Sequence, residues 1–373
     1  MDYQKVIGFL NLHHSPSLGP LTADRPLAST SFLGRYAFMD FTLSNFTNSR
    51  IDEVGILIQT KPRSILKHLG SNNTWNTNTK TGFEIIMYNE EAIGNKRYNN
   101  DFANIRANDW VLKRSDADYV IVAPAHFIMA IDYREVLAQH IASHAQITLV
   151  YTPATNARNH FIGSDVLTLN EEKLVSEIRP NKGTVNKANI SLETYVINRA
   201  KFIELMEKAA TISSFFCLHD IVSYTCGTTE RVNTYAYHGY VRCFDSLEHY
   251  VEYSMELLDY SNRAKLFRAD WPIYTVTHDT PPTRYLPEAN VRNSFIANGA
   301  HIQGNVRNSI ISRGVVVGAN SKVSNAIILS STVIGENIEI DHVIIDKYCK
   351  IRHAKSLKGE KGKPLYIKQG DQI

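Results

Sequence analysis

The side chains with chemistry to offer stand mostly at the ends of candidate strands. Behind the apolar run Val6–Leu10 comes Leu12-His13-His14-Ser15-Pro16-Ser17-Leu18, where paired imidazoles could meet a phosphate. Two histidines in a surface turn are ordinarily solvated, and that is how they are read. A third, His126, follows the run Tyr119–Ala123 and is placed for a base or a ligand, but with Phe127 beside it a packed ring is the simpler expectation. Lys61 and Arg63 flank Pro62 at a helix start, where backbone N–H groups favour phosphate. A solvated first turn is preferred there. The run Tyr235–Tyr240 (YAYHGY) carries rings able to stack on a base, yet its alternation is first that of a strand. The four cysteines, Cys217, Cys226, Cys243 and Cys349, contain no CxxC pair and are read as buried thiols, with no metal site.

With 43% hydrophobic residues over 373 positions the chain can bury a full core, and its length fits about two domains. Its 40 basic and 37 acidic residues are interspersed and leave a net +3, without the basic block that attracts nucleic acid or an anionic membrane. Neither partner is expected. The N-terminal apolar run is too short for a signal peptide, and no other run nears the roughly 18 residues a membrane span needs, so a cytoplasmic protein is expected.

The first part must supply a scaffold for these groups. Candidate strands Val6–Leu10, Val54–Gln59, Tyr119–Ala123 and Gln146–Tyr151 alternate with helical spacing in Tyr36–Asn48 and Arg134–His144, which predicts a Rossmann-like, doubly wound α/β domain over 1–250. Helix Leu247–Leu258 leads into a connecting segment, 251–289. Two loops rich in Asn, Thr and Gly, Gly70–Gly82 and Glu90–Asn100, have the composition of segments that overlie a cleft.

Over 290–373 helical spacing disappears, and Ile or Val recurs about every six residues. The steps are Ile296, Ile302, Val317, Val323 and Val333, then Ile340, Ile345 and Ile351. This predicts a left-handed parallel β-helix of hexapeptide repeats. Its aliphatic residues point inward, and Gly299, Gly304, Gly318, Asn320, Gly335 and Asn337 turn the corners. Ser356–Lys363 is expected as an exposed turn before a last strand, Pro364–Lys368.

Within this framework, Leu21–Asn48 (LTADRPLASTSFLGRYAFMDFTLSNFTN) and Ser49–Gln59 (SRIDEVGILIQ) resemble the N-terminal signature of the glucose-1-phosphate adenylyltransferases, the ADP-glucose pyrophosphorylases of glycogen synthesis. The likeness continues through Asp132-Tyr133, Tyr240–Tyr250, Trp271-Pro272-Ile273-Tyr274, Pro281-Pro282 and the repeats. It implies a GT-A-like nucleotidyltransferase domain. Family enzymes join ATP and glucose 1-phosphate, releasing pyrophosphate, with a metal ion held by two aspartates.

The resemblance also identifies working groups that are missing. Leu12–Leu18 replaces the phosphate-cradling G-G-x-G-x-R-L loop, with no glycine and with Ser17 at the arginine's place. Leu27 stands where K-P-A has its lysine, and Asn100-Asp101-Phe102-Ala103-Asn104 keeps nothing of G-T-A-D-A. His126 and Cys243 fall where the metal aspartates do; such soft donors suit zinc rather than Mg²⁺, and loss of metal is the preferred reading. Glu193 takes the place of the glycine in S-M-G-I-Y. Arg179, at the lysine of E-K-P, is the candidate sugar-phosphate contact. Because the family binds anionic effectors near Leu21–Asn48 and the β-helix, Arg25 and Arg35 are candidate effector contacts, with Arg292, Arg307 and Arg313 as further members.

Phosphoryl transfer rests on positioning and electrostatics, so these losses imply that this chain has no catalytic residues of its own. The pattern is similar to the non-catalytic second subunit of the bacterial two-subunit enzyme, the GlgD type. It implies an allosteric, regulatory subunit, catalytically impaired, in a heterotetramer with a catalytic glucose-1-phosphate adenylyltransferase subunit. A phosphorylated metabolite is the expected effector, and Mg²⁺ is expected only at the catalytic partner, with no cofactor on this chain. Two alternatives stay open: a weakly active nucleotidyltransferase using other residues, and a hexapeptide acyltransferase, which would need His301 or His342 at a coil junction.

Overall fold

A computed structural model describes residues 5–70, 74–75, 82–90, 95 and 98–373, in two compact units that interleave along the chain. The first takes Met1–Ser15, Met39–Asp245 and Ala269–Tyr274; the second takes Pro16–Phe38, Ser246–Arg268 and Thr275–Ile373. Residues 16–38, expected in the α/β part, thus count with the β-helix. The two polar loops at 70–82 and 90–100 lie largely outside the described residues. Among the described residues no helix is long and apolar enough to cross a membrane.

The first unit is built on nine strands: β1 (Val6–Asn11), β2 (Glu53–Ile58), β3 (Phe83–Tyr88), β4 (Tyr119–Pro124), β5 (Ile147–Ala154), β6 (Asp165–Leu169), β7 (Val175–Pro180), β8 (Ala188–Asn198) and β9 (Val232–Ala236). Parallel pairing runs β4-β1-β2-β3, and these strands read as continuous apolar runs because both sheet faces are covered. Gly55 in β2 gives room to the Phe9 ring of β1, since a Cβ there would lie 2.7 Å from it. Beyond β4 the sheet changes character. Strand β8 pairs antiparallel with β4, β5 and β6, β7 pairs antiparallel with β6, and β9 lies parallel to β5. The core joins Ile7, Phe9, Val120, Val122, Leu149 and Ile197 to Phe202 and Leu205 of helix Arg199–Ile212.

The expected helices form as Phe38–Asn48 and Tyr133–Ala142, the latter capped by Asp132, whose carboxylate accepts the Arg134 N–H at 2.9 Å. The YAYHGY alternation does not make one strand. Pairing with β5 ends at Ala236, and after a turn Val241–Cys243 pairs antiparallel with Phe127–Met129 instead.

In the second unit the repeats form three parallel five-stranded ladders, the faces of a left-handed β-helix. Ile302, Val317, Ile334 and Ile351 point inward on one face, Val306, Val323 and Ile340 on the next, and Ile311, Ile328, Ile345 and Ile367 on the third. The phase differs from the expectation at one step: Val333 pairs with Val316 in the outward row, and Ile334 fills the interior. Corners at Gly299, Asn320 and Asn337 have positive φ, as anticipated. Gly318 serves otherwise, because a Cβ there would come within 2.4 Å of the Gly335 carbonyl oxygen of the next coil. The 356–363 segment is not all turn, since Ser356–Lys358 extends a ladder and Leu365–Ile367 closes the last coil.

The third face is apolar outside as well, where Ile310, Ile327 and Ile344 are buried. Segment 16–38 and the helices Leu247–Glu256 and Tyr260–Leu266 belong to the same unit. Gly34 approaches the Ile311 carbonyl, and the Tyr250 hydroxyl donates to the Ser31 carbonyl at 2.8 Å. Arg25 fastens this segment. Its guanidinium pairs with Asp346 and donates to Gln369 Oε1 at 3.2 Å, while Tyr366 donates to Asp346 at 2.6 Å. Both charges are buried, at 7% and 0% side-chain exposure. Arg25→Ala, by stranding the Asp346 carboxylate, is expected to cost about 3–5 kcal/mol of stability, read from denaturant unfolding. A loss below about 1 kcal/mol would show that the pair does not hold the strap.

Candidate functional site

The carboxyl ends of the parallel strands converge on a cavity of about 200 Å³, the place where open α/β sheets ordinarily bind ligands. Asn11 ends β1 and leads to His13 and His14, Gln59 follows β2, and Pro124 ends β4. Strand β8 contributes Glu193 and Tyr195, and Cys217, Leu218 and His219 come from the start of helix Leu218–Thr225. Asp101 ties three of these segments together. Its carboxylate accepts from Asn11 Nδ2 at 2.8 Å and from the backbone N–H groups of Phe102 at 2.7 Å and Leu218 at 3.1 Å.

Glu193 sits at an irregularity where the β8–β5 register shifts between Ser191 and Thr194. Its φ is +48°, a left-handed conformation that favours glycine, and its side chain is buried. The carboxylate is surrounded by imidazoles: His14 Nδ1 donates to it at 2.7 Å, and His126 Nε2 lies 3.5 Å away. Burial works to raise its pKa, but His126 and His14 outweigh that and hold the carboxyl well below the usual carboxylate range. Reciprocally, Glu193 raises His14 above 6.5. The His14 ring stacks on His219, with centroids 5.9 Å apart. Burial disfavours a charged His219, yet its hydrogen bonds, first to Asp165 at 2.8 Å, push it up to about 12. Cys217 is raised to about 11 by burial.

His13 is a different case. Its Nδ1–H donates to the Asn99 carbonyl at 2.9 Å and its Nε2 accepts from Asn104 Nδ2 at 3.1 Å, so this ring is a neutral tautomer whose pKa burial lowers. Both histidines line the cavity; His13 departs from the solvated turn expected of it, whereas His14 keeps an exposed side chain while bonding Glu193. His126 is packed against Phe127 as anticipated, with centroids 4.4 Å apart, and its buried Nδ1 has no partner among the described residues.

Residues 17–177 match the nucleotidyl transferase family, and residues 281–360 match the GlmU-like C-terminal hexapeptide family. Glucose-1-phosphate adenylyltransferases are similar over most of the chain. That of Geobacillus stearothermophilus is 28% identical over 312 residues, 82% of this chain and 79% of its own, and that of Lachnospira eligens 29% identical over 302 residues, 80% and 71% respectively. The glycogen biosynthesis protein GlgD of Bacillus subtilis (strain 168) is 30% identical over 360 residues, 95% of this chain and 92% of its own. The chain belongs to this family of GlgD and the glucose-1-phosphate adenylyltransferases.

The positions singled out by family resemblance can now be placed. His126 and Cys243 are neighbours, because Cys243 pairs with Phe127 and the Phe244 N–H donates to the His126 carbonyl at 2.9 Å. They do not fit Mg²⁺. The Cys243 thiol is buried 3.5 Å from Ser164 Oγ, burial raises its pKa well above 9, and His126 turns its Nε2 to Glu193, so no hard oxygen pair is offered. Ser17 and Leu27 lie in segment 16–38 of the second unit, Ser17 beside Thr22 Oγ1 at 3.3 Å and Leu27 buried. Arg179 is exposed on β7 and paired with Glu177 at 2.5 Å, away from the cavity lining. Arg25 is buried rather than exposed, with its guanidinium committed to Asp346 inside the second unit. Arg35 is exposed, with its guanidinium over the Tyr36 ring at 5.5 Å. Cys217 also departs from the expected buried thiol, being half-buried on the cavity wall.

Because His14 is raised above 6.5, its contribution to stability is full below about that pH and is lost as pH rises through its higher folded value. Glu193→Gln removes the cause. In a histidine NMR titration, His14 is expected to titrate above 6.5 in the native chain and to fall in the variant; an unmoved midpoint would refute the pairing.

Proposed function

We propose that this chain is a regulatory, catalytically impaired subunit that partners a catalytic glucose-1-phosphate adenylyltransferase subunit in bacterial glycogen synthesis, within a heterotetramer. The observation that carries this reading is Glu193, whose buried carboxylate stands at a glycine-favouring position and is bonded by His14 from the loop that in family enzymes cradles phosphate. A triphosphate brought to that loop meets an anion at its wall. No lysine or arginine is among the described residues that line the cavity, and its raised imidazoles, His14 and His219, are already engaged by Glu193 and Asp165. The misfit of His126 and Cys243 to Mg²⁺ supports the same conclusion, and the metal of the reaction is then the partner's. An anionic effector, a phosphorylated metabolite, would find Arg35 rather than Arg25 on this chain. The effector acts on the assembly by binding its more and less active states unequally.

The test is pyrophosphate release from ATP and glucose 1-phosphate with Mg²⁺, measured for this chain, for a catalytic subunit from the same cell, and for the two together. Silence from this chain alone, with the mixture differing in rate or effector response from the catalytic subunit, is the expected outcome. Robust turnover by this chain alone would overturn the proposal in favour of a nucleotidyltransferase using other residues.

A further inference from the structure

Cys217, His219 and Asp220 bring a sulfur, an imidazole nitrogen and a carboxylate oxygen within 4.8 Å of one another. The start of helix Leu218–Thr225 arranges them. Cys217 is its N-cap, and Asp220, in the first turn, accepts the Cys217 N–H through Oδ2 at 3.0 Å. That bond fixes the carboxylate and turns its other oxygen, Oδ1, to 3.5 Å from His219 Nδ1. On its far side His219 is held through Nε2 by Asp165 Oδ2 at 2.8 Å. Cys217 and His219 both line the cavity.

We propose that Cys217, His219 and Asp220 bind a borderline-soft divalent cation of the zinc class, leaving one coordination position open to the cavity. Each structural detail has a counterpart in such sites. Thiolate, imidazole and carboxylate together suit Zn²⁺, whereas Mg²⁺ calls for near-octahedral oxygen. A ligating imidazole ordinarily gives its second N–H to a carboxylate, which sets tautomer and orientation, and Asp165 stands where that role requires. With Nε2–H committed to Asp165, Nδ1 is the nitrogen that faces Cys217 and Asp220. Binding releases the Cys217 thiol proton and the His219 Nδ1 proton to solvent, giving two anionic ligands and one neutral one around a dication. The helix N-terminus by itself disfavours a cation, but it stabilises the thiolate and carboxylate that the cation needs. Three protein ligands with an open fourth position is the arrangement of a reactive or ligand-binding metal, not a closed structural one.

The test uses the full, untagged chain, stripped with chelator and titrated with Zn²⁺ by calorimetry and with Co²⁺ by absorption. One equivalent is expected, and the Co²⁺ form should show a thiolate-to-metal charge-transfer band with the visible bands of four-coordination. Cys217→Ser should abolish the charge-transfer band, and Asp165→Asn should keep the stoichiometry while weakening affinity about 10–100-fold. Absence of uptake at micromolar metal, or a native Co²⁺ spectrum with no sulfur band, would overturn the site whether or not the variants fold. Uptake unchanged in both Cys217→Ser and His219→Ala would do the same.

Discussion

A buried carboxylate must be matched by positive charge or hydrogen-bond donors, or its lost hydration costs several kcal/mol. Glu193 imposes that demand at the centre of the first unit, and the cavity is organised as the answer: His14 from the turn after β1, His126 from the end of β4, and beyond them His219 with Asp165. The demand is sharpened by the backbone. A left-handed φ at a non-glycine residue carries about 1–3 kcal/mol of strain, tolerated only where the surroundings enforce it. The three imidazoles and two acids of this network thus stand at or behind the wall of the crevice at the carboxyl ends of the parallel strands.

This charge network is confined to the strand ends and leaves the interior of the fold untouched. The sheet, its Phe9–Phe202 packing and the anchoring of Asn45, which donates to the Met129 carbonyl at 3.0 Å and accepts from Trp271 Nε1 at 2.9 Å, do not depend on what fills the crevice. The two demands are separable because strand interiors set the scaffold and strand ends set the chemistry.

Much of the architecture was legible because it is periodic. Parallel strands and the hexapeptide rhythm leave aliphatic runs that the sequence displays directly, and their inward phase went astray at Val333 against Ile334, where two branched residues adjoin. Strands β6 to β8 were not legible, since their polar positions blur the alternation. The site was partly legible through family resemblance, which marked Glu193, His126 and Cys243 as departures. What it could not supply is convergence. Asp165 and His219 are 54 positions apart, His14 and Glu193 are 179 apart, and no local pattern announces either pair. The same holds for Arg25, since a cation in a polar stretch reads as surface unless Asp346 is known to face it.

The separation of Arg25 from Asp346, 321 positions, has a consequence for biogenesis. During synthesis the strap formed by residues 16–38 leaves the ribosome long before the coil that receives it exists, so its apolar side chains wait uncovered while the α/β strands are made. The second unit is thus completed from segments on both sides of the α/β strands and closes only after its late coils are made. Such late, non-local closure slows folding and prolongs exposure to aggregation. A nascent chain halted before those coils would carry the apolar strap without the Asp346 carboxylate that fastens it.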